Sequence, residues 1–182
     1  MFEFTCSDCF EVHKGAPSFA FAQPAEAHIL PPADHAERVE LSGELCIIRP
    51  DDENPFGEAM YFIRADLAIP IYGEQRPFTW GVWAEVAEDD FYEHVDASGE
   101  DRRGAACRGM LAVTLPDYDE REDDEDVAQL PCTLQWGAGA RPKITLDDGD
   151  HPLATDQRDG IAQERAAMLA TIMLHGRAED GL

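Results

Sequence analysis

Along most of the chain hydrophobic and polar residues alternate over short stretches, and a helical spacing appears only near the end. Residues 60–71 set Tyr61, Ile63, Ala65 and Leu67 on one side and Phe62, Arg64 and Asp66 on the other. This predicts a strand that Pro70 ends or confines to an edge. Residues 78–86 predict the strongest strand. Phe78, Trp80, Val82, Ala84 and Val86 share one face, and Trp83 makes the other face apolar too, which places the strand in the middle of a sheet. Gly81 within it marks a bulge or a close backbone approach. Trp80 is read as core; Trp83 is read either as core or as a ligand platform. Residues 45–48, 109–115, 130–136 and 143–146 supply further strands, and residues 1–5 a short one.

Helices are fewer. Asp34, following Pro31-Pro32, is an N-cap for a helix over 35–41 that Gly43 ends. Residues 88–95 form a short acidic helix. Asp150, with Pro152 in the first turn, caps a long C-terminal helix with an apolar stripe of Leu153, Ile161, Met168, Leu169, Ile172 and Met173. Gly160 weakens that helix and Gly176 stops it. Residues 14–24, with Gly15, Pro17 and Pro24, read as loop. Because most strand connections are too short for parallel crossovers, the expected fold is α+β. It has a mostly antiparallel sheet, a few short helices and a long C-terminal helix. With 182 residues, no fixed repeat and no linker-like shift in composition, residues 1–182 read as a single domain. A Cys-containing turn, 1–15, packs on it. Residues 117–126 hold eight acids and one arginine, and like-charge repulsion predicts an acidic mobile loop there.

Charge removes several function classes. The chain carries 38 acidic and 14 basic residues, a formal net charge of −24. Phosphate binding draws on clustered Lys and Arg, so nucleic acid is excluded as a partner, and an anionic membrane surface with it. The same surface suits a basic protein partner, or adaptation to high salt. The first residues lack a basic n-region and a long apolar run, and no stretch nears the ~20 apolar residues of a membrane span. The expectation is a cytoplasmic protein with reduced thiols, in which the five cysteines act as metal ligands or redox groups rather than a disulfide framework. Phosphate-loop, dinucleotide-binding, H-E-x-x-H and G-x-S-x-G patterns are all absent.

Cys6-x-x-Cys9 is the strongest chemical signal. Two thiolates at that spacing grip one metal ion from within a single turn. Cys46 and His13 are the nearest candidates to complete a tetrahedral zinc site, with His35 behind them. Free structural thiols and redox chemistry stay open as alternatives. Turn formation and capping account for Asp147-Asp148-Gly149-Asp150-His151, and His28, His94 and His175 show no convincing partners in the sequence.

A family resemblance joins these landmarks. Phe4-Thr5-Cys6-Ser7-Asp8-Cys9 with His13, Glu44-Leu45-Cys46-Ile47-Ile48, Phe78-Thr79-Trp80-Gly81-Val82-Trp83 and Asp150-His151-Pro152-Leu153-Ala154 follow in order. Together they resemble the bacterial family known as domain of unknown function 2199, over nearly the whole chain. The resemblance implies no particular reaction. It points to Cys6, Cys9, His13 and Cys46 as the matching positions. Phe10 stands where the family's C-x-x-C-G pattern has glycine, the residue that lets the backbone fold under a metal. Two functional readings follow. One is a non-enzymatic binding protein with a structural zinc. The other is a metal-dependent enzyme that keeps an open coordination position for water, with His35 or a carboxylate assisting.

Overall fold

A computed structural model describes residues 2–15, 17–51, 57–97, 101–118, 130–138, 141–147 and 149–176. In chain order its elements are β1 (Glu3–Thr5), β2 (Val12–Lys14), β3 (Ser18–Ala20), α1 (Ala25–His28), α2 (Pro32–Arg38), β4 (Val39–Ser42) and β5 (Leu45–Ile48). Then come β6 (Met60–Ile69), β7 (Phe78–Val86), α3 (Glu88–Asp96), β8 (Ala106–Leu111), β9 (Pro131–Gln135), β10 (Lys143–Leu146), α4 (Pro152–Asp159) and α5 (Gln163–His175).

The antiparallel β6–β7 pair, in register from Tyr61–Val86 to Ile69–Phe78, is the centre of the fold. Each of these long strands shares its outer edge between two partners. β7 pairs with β3 through Thr79–Gly81 and with β8 through Ala84–Val86. β6 pairs with β5 through Met60–Ile63 and meets β10 at Asp66. β6, β7, β8, β9 and β10 thus close into a five-stranded barrel, from which β3 and the β4–β5 hairpin diverge. Closure explains a correction to the expected sheet. In a five-strand meander each strand reverses the one before it, so the first and fifth run the same way and must join in parallel. The β10–β6 pair is parallel for this reason, β3 adds a second parallel pair, and the sheet is mixed rather than mostly antiparallel. No long crossover was needed to produce parallel strands, and short connections therefore did not preclude them.

The barrel is filled by one face of each strand. Ile63, Ala65, Leu67 and Ile69 meet Ala84, Val82, Trp80 and Phe78, and Leu111, Cys132, Leu134 and Ile144 continue the layer. The other face of β7 is covered as well. Trp83 is fully buried, and its indole Nε1 donates to the Phe21 carbonyl at 3.1 Å. Its position is core, which settles the open reading. The Phe21 carbonyl belongs to residues 17–24, where β3 pairs along the β7 edge and replaces part of the expected loop. Gly81 allows this, since a Cβ there would lie 2.9 Å from the Ala20 Cβ.

The β6–β10 seam has a single register pair, Lys143–Asp66. Arg141 closes it from outside. Its guanidinium donates to Asp66 at 2.9 Å and forks onto both Glu44 oxygens at 2.6 and 2.9 Å. Half-exposed pairs contribute little individually, yet a bidentate fork joining three segments contributes more than an isolated pair. Arg141→Ala is expected to lower the melting temperature by about 2–4 °C, corresponding to about 1 kcal/mol in a chain of this size. Loss of that sensitivity in 1 M salt, measured by calorimetry, would confirm an electrostatic origin.

Two helical expectations are corrected. α2 ends at Arg38; residues 39–42 form β4, because Val39–Ser42 pair antiparallel with β5 across a Gly43-Glu44 turn. The long C-terminal helix is divided into α4 and α5, the last only 13 residues long. Gly160 (φ 89°) leaves the helical region, and Ile161 bridges to Ile71, donating its N–H to the Pro70 carbonyl at 2.8 Å. His151, not Asp150, caps α4: its Nδ1 accepts from the Leu153 N–H at 3.2 Å. On α5, Ala166, Leu169, Ala170 and Met173 form the buried stripe, and Met168 faces outward.

Within the expected acidic loop 117–126, residues 119–126 lie outside the described residues. Asp117 and Tyr118 are anchored, Asp117 by an ion pair with Arg165 and Tyr118 by donating to Asp156 at 2.7 Å. Among the described residues no helix is long and apolar enough to cross a membrane.

Candidate metal centre

The N-terminal segment is a small two-stranded ribbon. β1 and β2 are antiparallel, with Phe4 opposite His13 and Thr5 opposite Val12. The Cys6–Glu11 turn joins them. The Cys6 N–H donates to the Glu11 carbonyl at 2.9 Å, and the Phe10 N–H donates to the Cys6 carbonyl at 3.2 Å. Phe10 takes a left-handed φ of 60°. The turn therefore adopts at a phenylalanine the conformation that glycine would supply more cheaply. It carries both sulfurs to one side of the ribbon. Phe4 stacks on the His13 ring, with centroids 5.2 Å apart and planes 26° apart, and so fixes that imidazole on the same side.

Helix α5 completes the site. Its buried stripe seats it in the core, and this leaves Thr171 and His175, one turn apart, aimed at the ribbon. His175 Nε2 lies 3.1 Å from Cys6 Sγ, and Thr171 Oγ1 lies 3.8 Å from the same sulfur. Cys9 Sγ lies 3.4 Å from His13 Nε2. One ligand atom from each of Cys6, Cys9, His13 and His175 falls within 4.8 Å of all the others. In a tetrahedral zinc site with ordinary bond lengths, ligand atoms stand about 3.3–3.8 Å from one another. The donor set and its spacing therefore fit zinc after small adjustments. Two soft thiolates with two imidazoles are the ligands such an ion selects.

The local electrostatics prepare the thiols. Burial pushes the Cys6 thiol up, but N–H groups of Cys9 and Asp8, the Thr171 hydroxyl and the Cys9 side chain outweigh it and hold the pKa at about 6. The Asp8 N–H lies 3.4 Å from that sulfur. Cys9 moves the other way. The Glu11 N–H favours its thiolate, while burial and the neighbouring Cys6 and Glu11 charges together raise its pKa. The pair thus presents one thiolate near neutral pH and a second that a cation would draw out.

Of the four residues proposed from sequence, the structure brings Cys6, Cys9 and His13 together and leaves Cys46 outside the group. Cys46 lies on β5 between Leu41 and Phe62, fully buried, with its thiol pushed up to about 11 by burial and by the Glu26 carboxylate. It is a core thiol, like Cys132 in the barrel. His35 is held elsewhere, 2.8 Å from the Gln23 side-chain oxygen. His175, which had no visible partner in the sequence, supplies the fourth ligand atom. It sits 169 residues from Cys6, so no spacing rule connects them. The only local hint was a histidine in the last turn of an apolar helix, flanking the buried stripe. His94 also has partners: Arg102 at 3.1 Å and the Trp136 ring, at 5.2 Å between centroids.

A family model described as an uncharacterized protein conserved in bacteria, DUF2199, matches residues 5–161. Neither the curated proteins nor the solved structures gave a match. Cys6, Cys9 and His13 lie inside the matched span and His175 lies beyond it.

Proposed function

We propose, for a chain that belongs to the DUF2199 family of uncharacterized bacterial proteins, that it is a non-enzymatic binding protein built around a structural zinc. The observation that carries this reading is the convergence of ligand atoms from Cys6, Cys9, His13 and His175 within 4.8 Å. Four protein donors fill a tetrahedron and leave no position for a reacting water, the arrangement of structural rather than catalytic zinc. The zinc ties the N-terminal ribbon to the C-terminal helix and so joins segments at opposite ends of the described chain. Linking distant segments removes much of the unfolded chain's freedom, and the binding free energy becomes folding free energy.

Elemental analysis of protein purified without added metal tests this. The expected content is about one zinc per chain, as a single tetrahedral site requires. His175→Ala should lose most of it, and Cys46→Ser should retain it. Zinc far below one equivalent, with Cys6 and Cys9 readily alkylated, would contradict the proposal. Retention of full zinc by His175→Ala would turn the reading towards a site that water can enter, and so towards the metal-dependent enzyme.

A further inference from the structure

The ribbon has a second face. Phe4 and His13 point inward, while Glu3, Thr5, Val12 and Lys14 point to solvent. In the turn that ends the ribbon Phe10 is 79% exposed, and Val12, two residues further on the outward face, is 51% exposed. Phe10 gains almost nothing from burial in this chain, and its left-handed backbone is disfavoured for any residue with a Cβ. The hydrogen bonds of the Cys6–Glu11 turn hold that backbone in place, but they do not call for an exposed ring, and residues held in sparsely populated backbone conformations concentrate where a partner or ligand is engaged. Aromatic side chains are frequent anchors of interfaces, and an exposed phenylalanine two residues from an exposed valine supplies one here. The surroundings specify the partner's chemistry. Asp8 and Glu11 flank Phe10, both exposed, on a chain whose formal charge is −24. A second copy of so acidic a chain would be repelled.

We infer that the outward face of the ribbon, anchored by Phe10 and Val12, docks a cationic protein segment that presents apolar side chains of its own. Positive charge on that segment steers it to the ribbon, and its apolar residues cover the Phe10 ring. The inference rests on the reading of the chain as a binding protein and names the kind of partner it would hold; the outward face itself is set by the β1–β2 pairing.

The test uses the full chain with two fluorescent probe peptides of equal charge, one alternating lysine with leucine and the other alternating lysine with serine. At 0.15 M salt the wild-type protein is expected to bind the leucine peptide about tenfold more tightly than the serine peptide, the gain from an apolar anchor beyond charge. Phe10→Gly should bind both alike. It should melt no lower than wild type, because glycine suits the left-handed turn. Equal binding of the two peptides by wild type, or an undiminished preference in Phe10→Gly, would overturn the inference. So would a wild-type dimer in sedimentation that Phe10→Gly abolishes, since the occupant would then be a second copy. Zinc measured in the same samples separates the two readings. Full zinc without peptide discrimination defeats the docking surface alone, and Phe10-dependent discrimination without zinc defeats the metal centre alone.

Discussion

Cys6→Ser is expected to lower the melting temperature by about 10 °C, a loss of roughly 3–4 kcal/mol in a chain of this length. Cys6 is 1% exposed and its sulfur lies among three other candidate ligand atoms, so serine removes a donor of the proposed site and leaves a buried hydroxyl in its place. Wild-type protein treated with a chelator should fall to nearly the same temperature. Cys6→Ser should then respond little to the chelator, because both changes remove the same metal and their effects do not add. Differential scanning calorimetry with and without chelator reads all four values. An unshifted melting temperature in Cys6→Ser would mean that the sulfurs fasten nothing.

Trp83→Ala should cost about 3–5 kcal/mol, the range for truncating a fully buried large aromatic. The indole is fully buried, donates to the Phe21 carbonyl at 3.1 Å, and has the Arg64 guanidinium 5.7 Å from its ring centroid. Truncation opens a cavity and also leaves a carbonyl without its donor. Trp83→Phe keeps most of the volume and should recover more than half of the loss. Denaturant unfolding measures both, and a loss below about 1 kcal/mol for Trp83→Ala would place the ring outside the core. Zinc content should be unchanged in either variant, because the four candidate ligands come from other elements.

The contrast between these two sites shows what the sequence made legible. β5, β7 and β10 fall on residues 45–48, 78–86 and 143–146 as the alternation predicts, since strands buried on one or both faces write their burial into the residue pattern. β1, β2 and β3 are three residues each, too short for a period-2 pattern to stand out. Barrel closure was not legible either, because the β6–β10 seam has one register pair, a backbone bond from the Asp66 N–H to the Pro142 carbonyl, and the Arg141–Asp66 ion pair. The C-terminal helix failed as one element for a local reason. Ile161 gains a bridge to Ile71 at the residue where Gly160 can turn the chain, and tertiary pairing outweighs helix propensity. At the candidate metal centre, Cys6, Cys9 and His13 are close in sequence, so turn geometry alone could group them. Cys46 seemed a partner because of its type, but its strand buries it in the core. His175 could be found only once α5 had been seated by its stripe.

X-ray absorption at the zinc edge tests the central claim most directly. The account predicts two sulfur neighbours at about 2.3 Å and two imidazole nitrogens at about 2.0–2.1 Å in the wild-type protein. A shell of three sulfurs, or of two sulfurs with one imidazole and a water oxygen, would contradict it.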